Sequence, residues 1–373
     1  MTYIWPTRKE EIWRRSPFLK PPEGEMASSV GCSPTIAPDV EENVTIDNGE
    51  IISENLPDGV SITSLEKGNG KISISSLPGG EGWAEWSIAR GKNSVISVAP
   101  DVVLEKPLIV RESVSPQGGT LSTQLGFDVG VNGSGQLVHL LEGPEDSHGF
   151  FSGIITLRSA EGARAGYTFV QALGRGIDGR IALDSHVAKE SRLQTGFALL
   201  GGGKTRTEWR LGMEGTGGES ILNGILLPAA GQEMEVQTGQ DHVVGDTLSN
   251  LLVKAGAGEG GKTQFQGMIN IRPQAQRSNA YQTNRNLAFS PHAQIGTIPG
   301  LEIEANDVKC SHGATVHRLE TKALFYLASR GIGKEEASRL LAEGFFAEIA
   351  DDFPAVGSWV VDAFARRLTS VLG

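Results

Sequence analysis

The chain has 373 residues, enough for one large domain or two of ordinary size, so a core can form without disulfide or metal staples. Its 39% hydrophobic and 21% charged residues are those of a soluble globular protein, and its 49 glycines call for many turns. A formal charge of -11 opposes phosphate backbones and anionic lipid surfaces, so nucleic acid and membrane are set aside as partners.

The opening residues 1–6 carry no apolar targeting core and no later run has the length of a membrane span, which makes the cytoplasm the expected location. Thr7 and Glu10 have capping-box spacing ahead of Ile12 and Trp13, and predict a short N-terminal helix. Pro21, Pro22 and Gly24 open an irregular linker that runs to residue 39 and contains Cys32. The only other cysteine is Cys310, so neither a zinc ribbon nor a disulfide framework is encoded.

Residues 40–318 show short alternating runs broken by Gly, Asn and Asp, with almost no helical periodicity. This predicts a long all-β region, with turns about two dozen residues apart. A pair of β-sandwiches fits the pattern, but a stacked β-helix is preferred because helical segments flank the region and can cap its open ends. After Arg318 the period changes. Leu319, Ala323, Leu324, Leu327 and Ala328 share one helical face ending at Gly331; Ala337, Leu340, Leu341, Phe345 and Ile349 mark a second helix. Pro354 closes that connection, and Trp359, Val360, Ala363, Phe364, Leu368 and Val371 mark a third. The expected organisation is therefore helix and linker over 1–39, β core over 40–318 and a C-terminal helical bundle over 319–373.

Two motifs bear on chemistry. Gly256 to Thr263 fits the P-loop pattern GxxxxGK[ST] letter for letter, and by itself suggests a nucleotide hydrolase. That chemistry needs a helix after Thr263 whose N-terminal amides hold phosphate. Instead Phe265, Ile269 and Ile271 alternate with Gln264, Gln266 and Asn270, which is a strand, so the glycines read as a hairpin turn. The second motif is Cys310-Ser311-His312, which alternation puts on a strand with the thiol and the imidazole on one face. Such a pair can hold one soft or borderline metal if another residue or chain completes the shell. Residue statistics alone favour a different reading, in which Cys310 is a small buried hydrophobe and His312 a satisfied interior polar group.

Residues 241–345 carry a resemblance. His242 with Thr247 to Leu252, Gly267 to Gln276, Asn279 to Leu287, Thr297 to Val316 and Phe325 to Ile332 resemble, in order, the core of the SufB/SufD family of iron-sulfur cluster assembly proteins. The Cys-Ser-His-Gly-Ala-Thr form at 310–315 is similar to SufD, and the cysteine of SufB is missing near Asn284 to Asn286. His317 departs from the glycine common in the family, and either adds a ligand or covers a turn. The resemblance implies a mainly β fold, a right-handed parallel β-helix with helical ends. It implies a non-enzymatic scaffold that pairs with a SufB-like subunit or a second copy of itself, and docks the ABC-type ATPase SufC on its C-terminal helices. This chain would bind no nucleotide; Cys310 and His312 would face the partner, where a transient iron-sulfur cluster or iron is held. A P-loop hydrolase remains the rival reading, and a carbohydrate-active β-helix ranks below it because aromatics are few in the β region.

Overall fold

The fold comes from a computed structural model that describes Ser16, residues 41–65, residues 81–350, Phe353 and residues 358–372. The helix and linker expected before residue 40, and Cys32 with them, lie outside the described residues except for Ser16. Three strands, β1 (Val44–Asp47), β2 (Glu50–Glu54) and β3 (Val60–Leu65), precede a short helix, α1 (Glu81–Ile88). Strands then follow one another without interruption: β4 (Lys92–Val98), β5 (Leu108–Ser113), β6 (Thr120–Val129), β7 (Ser134–Glu142), β8 (His148–Ser159), β9 (Arg164–Ala172), β10 (Gly176–Val187) and β11 (Arg192–Leu199). The second half of the series is β12 (Lys204–Met213), β13 (Glu219–Leu226), β14 (Glu233–His242), β15 (Leu248–Ala257), β16 (Lys262–Ile271), β17 (Asn279–Ala288), β18 (Gln294–Ile303) and β19 (Lys309–Arg318). Three helices close the chain, α2 (Thr321–Ser329), α3 (Lys334–Ala350) and α4 (Ser358–Leu372).

From β4 onward no strand pairs in a ladder with the next one in sequence. Odd-numbered strands stack in one sheet in the order β5 to β19, even-numbered strands in a second from β4 to β18, and within both series every neighbour is parallel. The chain therefore winds as a parallel β-helix with two strands per coil, and the sandwich alternative falls. Among the described residues only β1 with β2 and β3 with β4 are antiparallel, at the N-terminal end. The register equivalents Ser134, Arg164, Arg192, Glu219, Leu248, Asn279 and Lys309 lie 27 to 31 residues apart, a longer coil than the turn spacing suggested.

Period-2 alternation fills the lumen. Leu125, Ile155, Leu183 and Trp209 continue one another from coil to coil, and Leu137, Tyr167, Thr195, Leu222 and Leu251 do so on the opposite wall. Phe197 stacks on Trp209 with ring centroids 5.5 Å apart. Its ring occupies the space that Gly224 leaves in the next coil, where any side chain would collide with it.

The outer faces are covered in two ways. On the even-numbered sheet, alternate positions carry charge, yet Arg180, Arg206, Glu208 and Glu235 are all buried. Arg180 makes two hydrogen bonds to Glu208 (2.7 and 2.9 Å), and Arg206 bridges Glu208 (2.9 Å) and Glu235 (2.8 Å). Trp83 of α1 lies over the Arg180 guanidinium at 4.5 Å. Burial pulls the Arg180 pKa down to about 10, with Glu208 opposing.

On the odd-numbered sheet the cover is helical. Ala342, Phe346 and Ile349 of α3, with Phe353 and with Leu368 and Val371 of α4, pack against Val138, Leu140, Val170, Ala198, Ile225 and Leu227. Lys254 locks the contact: its ammonium donates to the Phe345 carbonyl (2.5 Å) and to Glu348 (2.7 Å), and Arg285 also reaches Glu348 (2.9 Å). The three helices appear where periodicity expected them, and Gly331 ends α2 with φ +84. They pack on one another, as Phe346 on Phe364, and α3 and α4 also share a core with the β-helix. Truncation before Glu320 would strip that core, and is a poor way to isolate the coils.

Phe346 is fully buried and meets Phe345 and Phe364 edge-on, at 4.8 and 5.1 Å. Phe346→Ala should cost about 3–5 kcal/mol in denaturant unfolding. A loss under about 1 kcal/mol would mean that the helices do not share the core.

Candidate functional site

Each coil of a β-helix is hydrogen-bonded by the coils on both sides, and the last has a neighbour on one side only. β18 and β19 hold that position, terminal in their sheets. Both are ten residues long. Among the described residues nothing pairs with their outer edges, and β19 has no proline to blunt it. Val316 is 50% exposed, and Leu301 and Ile303 are also open. Such an edge is a template for a strand of another chain.

Cys310 and His312 lie on β19, and the register fixes where they point. Gly135, Ala165, Leu193, Ser220, Ser249 and Ala280 continue to Cys310, while Leu251 and Gln282 continue to His312. Both side chains thus project on the lumenal side, at its open end, sharing the face that alternation gave them. His312 is exposed. Cys310 is half-buried beside Val308 against Ile269, Ala275, Ala280 and Ala305. Burial pushes its thiol pKa up, and a backbone hydrogen bond with Ala280 offsets only part of that. At neutral pH it is a thiol, and it becomes a ligand when a metal displaces the proton.

His317 is an odd position on the same strand and pairs with Leu287, so it lies on the opposite face and cannot join Cys310 and His312 from there. Among the described residues no third His, Cys, Asp or Glu combines with the pair into a metal-binding group.

The P-loop pattern meets a different fate. β15 ends at Ala257 and β16 begins at Lys262, so the glycines form the corner between two sheets, neither the strand-to-helix junction a phosphate needs nor a hairpin. The corner is also occupied. A side chain on Gly258 would collide with the Val371 carbonyl of α4, and the Lys262 amide is spent on the Gln232 carbonyl at 3.0 Å. A helix C-terminus carries negative partial charge and repels a phosphate.

Below Cys310 and His312 the lumen turns polar, which the sequence reading did not anticipate. Gln240, His242, Ser249, Gln282, Asn284 and Asn286 replace the aromatics of the earlier coils, all buried. Ser278, Thr247 and His242 form a hydrogen-bonded file with Oγ···Oγ1 2.8 Å and Oγ1···Nδ1 2.7 Å. It continues through Ser249 (2.7 Å from Nε2) to the amide of Gln240 (2.7 Å). The signal was present: Gln282 and Asn284 fall on the same alternation as buried Ala280.

Beyond the last coil, α2 buries none of its residues. Ala323, Leu324 and Leu327 are half-buried, while Phe325 and Tyr326 stand 75% and 58% exposed on the other side.

The family described as "SUF system FeS cluster assembly, SufBD core domain" matches residues 118–345, from the start of β6 into α3. The chain belongs to the SufBD family. A SufBD family iron-sulfur cluster assembly protein of Mycobacterium leprae is 26% identical over 379 aligned positions, covering 98% of this chain and 91% of that one. The iron-sulfur cluster assembly protein SufD of Escherichia coli is 35% identical over 153 residues, which is 41% of this chain and 36% of that protein. A SufBD family protein of Mycobacterium tuberculosis is 32% identical over 207 residues, 52% of this chain and 50% of its own. The SufBD core match takes in β18, β19 and the Cys310–His312 edge. No helix among the described residues is long and apolar enough to cross a membrane.

His242 gives the polar lumen a pH signature. Burial lowers its pKa to about 4, Asp241 opposing weakly. The unfolded chain, near 6.5, therefore takes up the proton first as pH falls. Stability should be complete above about pH 6.5 and decline toward pH 4 by at most about 1.4 kcal/mol per unit. Urea midpoints at pH 7.5 and 5 would show this, and His242→Gln should flatten the difference; an equal slope in both proteins would remove His242 as its source.

Proposed function

We propose that this chain is a SufD-like, non-enzymatic scaffold subunit of an iron-sulfur cluster assembly complex. Its open C-terminal edge pairs with a SufB-like subunit, or with a second copy of itself, by strand addition. Its C-terminal helices dock an ABC-type ATPase of the SufC kind. Nucleotide is bound and hydrolysed by that partner, and the cluster under assembly is cargo, held transiently at the subunit interface.

The observation that carries this reading is the joint position of Cys310 and His312 on an unpaired edge strand inside the SufBD core match. A thiolate and an imidazole two residues apart supply two of the four protein ligands that a cluster takes. With no third protein ligand beside them among the described residues, the shell is completed from across the edge. A partner strand added to β19 would bring its own side chains into register with these two. The rival P-loop reading loses support from the strand after Thr263 and from the α4 terminus at Gly258.

Cys310→Ser and His312→Ala should each lower cluster yield in the reconstituted complex severalfold, with subunit composition and melting temperature close to wild type. Iron-sulfur absorbance, iron content and thermal unfolding are read on the same samples. Full yield in both variants, or a loss that follows stability alone, would leave the two residues without a ligand role.

The ATPase contact is assigned to α2, because Phe325 and Tyr326 are large, apolar and unburied at the end of the β-helix. A double change, Phe325→Asp with Tyr326→Asp, should abolish capture of the ATPase while shifting the melting temperature little, since both residues are exposed in the isolated chain. Undiminished capture would move the contact elsewhere.

A further inference from the structure

The polar lumen holds more hydrogen-bonding atoms than its network uses. Thr238 Oγ1, Gln240 Oε1 and both amide atoms of Gln282 form no hydrogen bond within the protein. Their residues are 1%, 0% and 1% exposed, so bulk water does not reach them. Each such atom left without a partner costs about 1–3 kcal/mol, which makes four in one region a feature that requires an explanation.

The fold brings these atoms together. Thr238 and Gln240 lie two residues apart on β14, both facing inward, and Thr238 pairs in register with Gly267 of β16. Any side chain on Gly267 would collide with the Gln282 carboxamide, so that amide crosses the lumen from β17 and lies over Gly267, next to Thr238. Gln240 crosses the other way. Its Nε2 donates to Ser249 Oγ (2.7 Å) and to the carbonyl of Tyr281 (3.2 Å), the residue before Gln282. Gln240 Oε1 is left without a partner beside that contact. The set offers acceptors in two amide carbonyls, a donor in Gln282 Nε2, and a hydroxyl that can act as either. It contains no charge, which suits a neutral guest with donors and acceptors of its own.

We propose that Thr238, Gln240 and Gln282 enclose a buried hydration site. A water there donates to Gln240 Oε1 and Gln282 Oε1 and accepts from Gln282 Nε2, three bonds being the usual number for an internal water; the Thr238 hydroxyl extends the site. Because Gln282 is the register neighbour of His312, this water is the floor of the open end where Cys310 and His312 lie. Through Gln240 it joins the file of Ser249, His242, Thr247 and Ser278. A group held at the rim meets a hydrated inner surface, with Gln282 as its positioning residue. That last role rests on the reading of Cys310 and His312 above; the hydration site does not.

Two arms test the site and one tests its role. A crystal structure of the full chain that orders internal waters should show density about 2.7–3.2 Å from Gln240 Oε1 and the Gln282 amide. A dry chamber, or a Gln282 amide bonded directly to protein, overturns the proposal. Gln282→Met, close in length but apolar, should lower the melting temperature by a few degrees, because it strands the water and Gln240 Oε1. If the chamber were dry, the same change would remove an unsatisfied amide and leave the melting temperature unchanged or raised, again overturning the proposal. For the role at the rim, cobalt(II) is titrated into the full chain and its thiolate band followed, with Cys32→Ser as background. Gln282→Met should weaken that binding about tenfold. Equal affinity in the two proteins refutes the floor role, whereas no thiolate band even with Gln282 intact refutes the Cys310–His312 reading and leaves the crystallographic arm to decide the hydration site.

Discussion

A parallel β-helix solves its backbone hydrogen bonds by stacking, and the solution fails at the last coil. Every strand from β5 to β17 is bonded on both sides, while β18 and β19 are each bonded on one. An unpaired ten-residue edge is a liability in an isolated protein and an asset in a subunit. The placement of Cys310 and His312 follows from that one constraint. In any earlier coil the same two side chains would be sealed in the lumen, as their register neighbours Ala280 and Gln282 are.

The remaining surfaces are arranged around it. The inner face is apolar and aromatic through the coils containing Phe127, Tyr167, Phe197 and Trp209, which contribute the bulk of hydrophobic burial. Polar side chains occur among them, as in the buried Glu112–His139–Tyr167 group, and they dominate where the lumen approaches the open end. Outer faces are closed by α3 and α4 on one sheet and by a buried charge ladder under α1 on the other. A buried ladder such as Arg180, Glu208, Arg206 and Glu235 adds little net stability over an apolar face, but removing one member leaves its partners with uncompensated charge. It holds neighbouring coils in a single register.

How much of this was legible in the sequence depends on the range of the interaction. Strand alternation is local, and Phe265, Ile269 and Ile271 against Gln264 and Gln266 were enough to reject a P-loop whose eight letters matched perfectly. Gly331 ended its helix in the left-handed conformation that its position required. Local signals gave out where cover comes from elsewhere in the chain. Arg206 and Glu208 alternate like a solvated face and are buried. In α3 the fully buried ring is Phe346, which touches the sheet, whereas Phe345 on the expected stripe is only half-buried beside Lys254. α1 went unseen because eight residues with Trp83 and Trp86 three apart are too short for a period to register. The pairing of Cys310 with His312 on one face was readable from their spacing, but its position at an open lumen required the number and direction of the coils.

The claim on which this account turns is that β19 is an interface strand that brings Cys310 and His312 against another chain. Amide hydrogen exchange over residues 309–318 measures it directly, comparing the isolated chain with the assembled complex. The account predicts alternate amides along β19 that exchange quickly in the isolated chain and slow by orders of magnitude on assembly, as their outward edge gains a partner. Unchanged fast exchange at those amides in a complex that is intact by mass would contradict it.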